Sequence, residues 1–143
     1  MPQAKGTYTI KKTTVPQTDL LAIRVLQGDA QKEWSGDIEG KSGVLTVETA
    51  TQTPGSAGYI AVEEFHGTVH GRKGSFACLH RGIVKRDEET IDAVIVPDSG
   101  VAELQGIIGT LIITNDGDQL HYELDYEFME PPAVTEEPAE EQS

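Results

Sequence analysis

The chain has 143 residues, a length that suits one domain with a buried core and leaves little room for a second. Asp and Glu number 24 against 11 Lys and Arg. The resulting net charge of −13 disfavours nucleic acid and anionic membrane surfaces as partners, because both are bound through basic residues. Cys78 is the only cysteine, so no intramolecular disulfide forms. No apolar segment of the signal-peptide or membrane-spanning kind is present, and we expect a cytoplasmic protein.

Short β-rich runs separated by Gly, Asp, Asn and Pro follow one another along the chain, and no long window has the apolar spacing of an amphipathic helix. We predict eight strands, at residues 7–13, 20–27 with a continuation towards 34, 37–49, 59–69, 75–84, 90–96, 104–114 and 120–128. In the last strand, apolar and aromatic side chains alternate with acidic ones and a histidine, which is typical of one buried face. Tyr122 and Tyr126 lie on its apolar side.

The order and spacing of these strands predict the fold. Strands without helices between them exclude parallel βαβ units, and short links favour a meander over the crossovers of a sandwich. The predicted fold is therefore all-β, an eight-stranded antiparallel up-and-down (meander) barrel over residues 1–130, because closure removes exposed edge strands. Residues 131–143 contain Pro and four Glu but no basic residue, and we expect a disordered acidic tail there.

Four stretches carry a resemblance to a known family: WSGDIEGKS at residues 34–42, EEFHGTVHGRKGSFACLHRG at 63–82, VPDSGVAELQGIIG at 96–109 and HYELDYEF at 121–128. They resemble the bacterial family called domain of unknown function 3224 (DUF3224), over about residues 6–129. The pair Val101-Ala102 departs from the smaller residues expected there, which alters a turn rather than the fold. The resemblance implies an allene-oxide-cyclase-like or dirigent-like barrel, a kind that binds reactive apolar intermediates inside it. It implies no catalytic residues, since the family has no established activity.

The segment GRKG at residues 71–74 predicts a tight hairpin in which Gly71 faces Gly74. In this register Glu64 lies opposite Arg81, and the two form an ion pair on the outer face. The inner face is the one on which the aromatic side chains cluster. It holds Glu63, Phe65, Phe76, Cys78 and His80.

Several of these inner residues are candidates for chemistry. Glu63 is diagonal to His80, and a carboxylate beside an imidazole serves either as a general base or as a hydrogen-bonded structural pair. Cys78 is either a nucleophile or a small buried hydrophobe. Tyrosine hydroxyls in the lumen either fix a ligand or complete the core. We therefore take Glu63 and His80 as catalytic candidates, and as ligand-binding candidates Phe65, Phe76, Cys78, Tyr122 and Tyr126.

The remaining polar motifs predict no cofactor. His66, His70 and His121 lie on predicted outer faces, and the spacing of the first two along a strand suits a metal poorly. The glycines near residues 71–74 and 106–109 lack the strand-to-helix context of a phosphate loop. We expect neither a metal nor another cofactor.

The leading hypothesis for function is a barrel that binds one small, mainly apolar ligand in its lumen. The alternatives are a cyclase-like or isomerase-like enzyme and a non-catalytic oligomerisation module. An apolar outer face predicts a homodimer or higher homo-oligomer. It comprises Val94, Val96, Ile108 and Ile112.

Overall fold

The computed structural model describes residues 2–132 of the chain. This part contains eight long strands and one short strand. They are β1 (Gln3–Asp19), β2 (Arg24–Gly36), β3 (Ile38–Ala50), β4 (Ala57–Val69), β5 (Arg72–Lys85), β6 (Glu88–Ile95), β7 (Val101–Ala102), β8 (Ile107–Asn115) and β9 (Leu120–Phe128). Within this range no helix has the length and apolarity needed to cross a membrane. The tail predicted for residues 131–143 lies outside the described residues from position 133 onward.

The long strands pair antiparallel with their neighbours in the chain and close into a barrel. β1 pairs with β9, and β4 pairs with β5. β6 pairs directly with β8, although the short β7 separates them in the sequence. β7 adds to one end of β5, where Ala102 lies opposite Gly74. The predicted closed eight-stranded meander is therefore confirmed, with β7 as an addition. β7 is formed by the Val101-Ala102 pair, and Ala102 has a positive φ of 56°.

The second predicted strand begins too early in the sequence. β2 starts at Arg24, whereas the Leu20 N–H donates to the Ile23 carbonyl oxygen over 2.8 Å and forms a turn. Leu21 in this turn is 99% exposed. An apolar run alone therefore did not distinguish an exposed turn from a strand.

The hairpin between β4 and β5 turns two residues earlier than predicted. Val69 lies opposite Arg72, so the two central residues are His70 and Gly71, with φ of 48° and 79°. Positive φ at both positions is what a two-residue turn requires to match the strand twist. Gly74 belongs to β5, where an added Cβ would lie 2.3 Å from the Val101 carbonyl oxygen. Gly74 therefore allows β7 to approach β5 closely and is not part of the turn.

This correction shifts the strand register by an even number of residues, so the faces stay as predicted. Glu63, Phe65 and His80 are all buried inside the barrel. The predicted Glu64–Arg81 ion pair is wrong, because the two residues are no longer opposite each other. Arg81 instead pairs with Asp92 over 2.8 Å, and Glu64 lies 3.3 Å from His66.

The interior is packed at one end and open at the other. Trp34 is at the centre of the packed end, with its ring 4.8 Å from that of Tyr122 and 5.9 Å from that of Phe65. Large apolar side chains fill the space around them. The other end has a separate small cluster of Ala30, Val44 and Ala61. Short side chains at these inward positions leave space inside the barrel.

Candidate functional site

A cavity of about 330 Å³ occupies the open half of the lumen. Its walls combine aliphatic and aromatic side chains, its rim carries charged and amide groups, and its floor is basic. The lining residues are Tyr8, Ile10, Lys12, Ala30, Lys32, Val44, Thr46, Glu48, Tyr59, Ala61, His80, Glu89, Ile91, Ile113, Asn115 and Leu120. Concave, mainly apolar spaces with a few polar groups of this kind are typical of small-molecule sites.

The strand register explains why the lumen is open at this end. Ala30 lies opposite Val44, and Ala61 lies opposite Thr46, so short side chains meet on the inner face. One position further out, Gly82 lies opposite Tyr59. A Cβ on Gly82 would lie 2.1 Å from the Tyr59 ring, so the glycine allows that ring to lie against the wall. The Tyr59 ring therefore lines the wall, and the space inside the barrel stays open.

A buried cluster of Lys32, Glu63 and His80 forms the floor. Lys32 Nζ donates to Glu63 Oε1 over 3.0 Å, and His80 Nε2 lies 2.7 Å from the same oxygen. Glu63 is 1% exposed and lies behind the other two, which line the cavity. An occupant of the lumen therefore meets the ammonium and the imidazole first.

The surroundings of Glu63 keep it ionised. Burial alone would raise its pKa, but the hydrogen bond from His80 and the charge of Lys32 outweigh burial and lower the pKa below the ordinary 4.5. Glu63 Oε2 is buried and has no hydrogen-bond partner among the described residues. A buried carboxylate with one unsatisfied oxygen is costly, which marks this cluster as a candidate for function.

Lys32 is the residue that our sequence analysis missed. Its ammonium also lies 4.8 Å from the Tyr8 ring and 5.5 Å from the Trp34 ring, within the range of cation–π interactions. The alternation of inward and outward side chains along β2 could have revealed Lys32. Ala30, Lys32 and Trp34 alternate along β2, and an inward Trp34 requires an inward Lys32.

The structure brings Glu63 and His80 into contact, as strand parity predicted, and their catalytic role stays a prediction. The five predicted ligand-binding residues all face inward but belong to the packed half, and they are not among the residues that line the open cavity in the described range. They are Phe65, Phe76, Cys78, Tyr122 and Tyr126.

In the packed half, the Tyr122 hydroxyl makes hydrogen bonds to the backbone and the Cys78 thiol is buried. Tyr122 Oη accepts the Ile38 N–H over 2.8 Å and donates to the Ser35 carbonyl oxygen over 2.9 Å. These bonds fix the start of β3 against β9. Cys78 is buried, and burial raises the pKa of its thiol. A thiol held in the protonated form is a poor nucleophile.

The other three histidines lie outside the lumen. His66 is exposed and bonds to Ser75 Oγ over 2.7 Å, whereas His121 bonds to Asp116 Oδ2 over 2.9 Å. His70 occupies the β4–β5 turn and contacts the Tyr126 hydroxyl and Asp37 at the packed end. Residues 2–132 contain no group of three His, Cys, Asp or Glu side chains placed to hold a metal ion.

Fold and site together define a small closed β-barrel with a polar cluster at the floor of a half-open lumen. The sequence profile described as "Protein of unknown function (DUF3224)" matches residues 4–126, so the chain belongs to the DUF3224 family. It is similar to the crystal structure of a protein from Shewanella oneidensis MR-1, which is described as a DUF3224 family protein with unknown function. The two are 30% identical with a TM-score of 0.87, over 92% of this chain and 99% of the other. No curated protein matches the chain.

Proposed function

We propose that the chain binds one small, mainly apolar molecule in the open half of the barrel. The observation that carries the proposal is the cavity of about 330 Å³ with apolar walls and a polar floor. Burial of apolar ligand surface supplies the affinity, and the floor fixes the orientation of a polar end. The implied likeness to allene oxide cyclase and dirigent barrels, which enclose apolar intermediates, belongs to this proposal. We also propose that the protein is located in the cytoplasm of a bacterium.

A neutral fluorescent probe, N-phenyl-1-naphthylamine, tests the proposal. It fluoresces strongly only in apolar surroundings, and we expect saturable binding at one molecule per chain. Ala61→Phe places a ring inside the cavity and should weaken binding by about tenfold or more, since the ring occupies the ligand's volume. Ala61→Leu is a milder change if the first variant folds poorly.

The matched control adds similar bulk on the outer face of the same strand. Glu64 is exposed and is not among the residues that line the cavity, so Glu64→Phe should bind the probe as the unchanged protein does. Equal binding by Ala61→Phe and the unchanged protein, or no saturable binding at all, would contradict the proposal.

A second candidate is an enzyme of the isomerase or cyclase kind. The observation that favours it is the hydrogen bond between Glu63 and His80 at the floor of the cavity. A carboxylate that orients an imidazole towards a substrate is an arrangement used in general base catalysis. The two candidates differ in whether a bound molecule leaves chemically unchanged.

A further inference from the structure

The hydrogen bond to Glu63 determines which nitrogen of His80 an occupant meets. A carboxylate oxygen can only accept, so a neutral His80 ring carries its proton on Nε2, which lies 2.7 Å from Glu63 Oε1. Nδ1 then has a free lone pair, and His80 lines the cavity. The floor thus offers a base whose orientation is fixed by a buried carboxylate.

Lys32 supplies the opposite kind of group at the same place. Its ammonium has three N–H donors, of which one meets Glu63 Oε1, and it also lines the cavity. Because Lys32 and His80 bond to the same oxygen, a donor and a base are neighbours on the floor. A carbonyl group with a hydrogen on the adjacent carbon is complementary to this pair.

We propose that the lumen accepts small apolar ketones or aldehydes and moves a proton on the carbon next to their carbonyl group. This inference rests on the ligand site proposed above. His80 Nδ1 takes the proton, the C–H electron pair forms the C=C bond of an enolate, and the carbonyl π pair moves onto oxygen. Lys32 stabilises the enolate oxygen, and Glu63 stabilises the imidazolium.

Return of the proton completes the reaction without an oxidant or a reductant. The imidazolium first trades this proton with solvent, and His80 then delivers a solvent-derived proton to the same carbon, which gives exchange. Delivery to the far end of a conjugated enolate instead gives isomerisation. Mainly apolar walls favour this step, because electrostatic stabilisation is stronger where water is scarce. Glu63 acts through His80 and is a positioning residue.

Exchange of the α-protons of 2-tetralone in D₂O, followed by proton NMR, tests the proposal. Displacement of N-phenyl-1-naphthylamine measures binding of the same ketone independently. We expect exchange well above the buffer rate, and His80→Gln should lower the exchange rate of bound ketone about 100-fold or more without changing ketone affinity. His66→Gln makes the same change on the exposed outer face of β4 and should exchange at the unchanged rate.

Two further variants test the supporting roles. Glu63→Gln should lower the exchange rate and leave ketone affinity unaltered, whereas Lys32→Met should lower both. Binding of the ketone without exchange, or undiminished exchange in folded His80→Gln, would overturn this inference and leave the ligand site standing. Failure of the probe and the ketone to bind would overturn both.

The outside of the barrel carries a row of exposed apolar side chains. Leu45, Val62, Leu79 and Val94 lie directly opposite one another across β3, β4, β5 and β6, and are 66%, 51%, 47% and 45% exposed. Ile60 adjoins this row. We call these five residues the outer apolar surface. Val94 was predicted from the sequence, whereas most of the surface lies on β3–β5, beyond the predicted β6 and β8 residues.

The charges beside the outer apolar surface indicate what covers it. Arg81 and Asp92 form an ion pair at its border, in the cross-strand row that also contains Ile60. One positive and one negative group at the border of an apolar patch are complementary to the same pattern turned through two-fold symmetry. We propose that a second copy of this chain packs on this surface, sheet against sheet, with Arg81 near the partner's Asp92.

Light scattering after size exclusion tests this proposal. We expect a dimer at micromolar concentration that is more stable in about 500 mM than in about 50 mM salt, because salt screens the repulsion between two acidic chains. Leu79→Glu should give a folded monomer whose circular dichroism spectrum matches that of the unchanged protein. Leu21→Glu, at an exposed leucine outside the surface, should stay dimeric. A monomeric unchanged protein, or a dimeric Leu79→Glu variant, would overturn the proposal.

Discussion

Glu63 is held in the barrel by two partners, and they are not equivalent. Lys32 brings an ammonium group, while His80 contributes a hydrogen bond whether or not it is charged. Both contact the same oxygen, at 3.0 and 2.7 Å, and Oε2 has no hydrogen-bond partner within residues 2–132. The cluster therefore depends mainly on Lys32 for charge balance, and removal of Lys32 exposes the cost of a buried carboxylate.

We predict that Lys32→Met lowers the free energy of unfolding by about 3 kcal/mol, because it leaves a buried charge without its counter-ion. Lys32→Met with Glu63→Leu should recover at least half of that loss. Urea unfolding measures both, with Lys41→Met on the exposed side of β3 as a control that stays within about 0.5 kcal/mol. A double variant no more stable than Lys32→Met would contradict this account of the floor.

The lowered pKa of Glu63 predicts how stability depends on acid. A carboxyl whose pKa is lower in the folded state stabilises the fold at pH above its unfolded pKa, near 4.5, and loses this contribution as the pH falls through the folded pKa. Unfolding free energy should therefore decrease below about pH 4.5. We expect a shallower decrease for Glu63→Gln, measured by urea unfolding at a series of pH values. Glu64→Gln, its exposed neighbour, should follow the unchanged protein; identical slopes for all three would count against the buried pair.

Strand parity predicted that Glu63 and His80 share the inner face, and an even error in the turn does not change a face. The correction moved His80 from opposite Phe65 to opposite Ala61, so it stayed diagonal to Glu63. Lys32 was missed because β2 was given no inner face, although Trp34 two residues later indicates one. The open cavity itself was not predictable, because it depends on which inward positions hold small residues at the same level of the barrel.

The β4–β5 turn sets the register of the strands that carry Glu63 and His80. Gly71 has a φ of 79° and open space around the position of a Cβ, so any cost of a side chain there comes from the backbone alone. Gly43 on β3 also has open space but no positive φ. The two glycines form a matched pair.

We predict that Gly71→Ala lowers the free energy of unfolding by about 1 kcal/mol, because an L-residue resists the left-handed conformation. Gly43→Ala should be neutral or stabilising, since it reduces the freedom of the unfolded chain. Thermal and urea unfolding of both variants provide the comparison. An equal effect of the two changes would show that the turn is not the source of the cost.

The turn also shows where sequence reasoning about elements stops. GRKG at residues 71–74 predicted a turn between its glycines, but the chain uses His70, although positive φ is uncommon for any residue other than glycine. Gly74 is needed for the close approach of β7, a contact between distant parts of the chain. Local pattern cannot distinguish a glycine that turns the chain from one that admits a neighbour.

The barrel should account for the stability of the protein without the C-terminal segment. We predict that deletion of residues 132–143 changes the free energy of unfolding by less than about 1 kcal/mol, because an acidic, Pro-containing segment buries little apolar surface. Thermal unfolding of the shortened chain is the measurement. A drop of several degrees in melting temperature would mean that the segment docks on the barrel.

The meander was predictable because strand number, short links and the absence of helical spacing all pointed to it. The division of its interior was not, because it arises from side-chain volumes compared across strands. Trp34, Phe65 and Tyr122 fill one end, and Ala30, Val44 and Ala61 leave the other open. That division gives a rigid, packed base beneath a cavity, which is the arrangement that the proposed ligand site needs.

A crystal structure of the chain with N-phenyl-1-naphthylamine bound would show whether the lumen holds a ligand. The proposed site predicts electron density for the probe inside the open half, between Tyr8 and Tyr59 and above Lys32 and His80. The packed end should stay unchanged. Density for the probe on the outside of the barrel alone, with the lumen filled by protein side chains, would contradict the claim that this barrel holds a ligand.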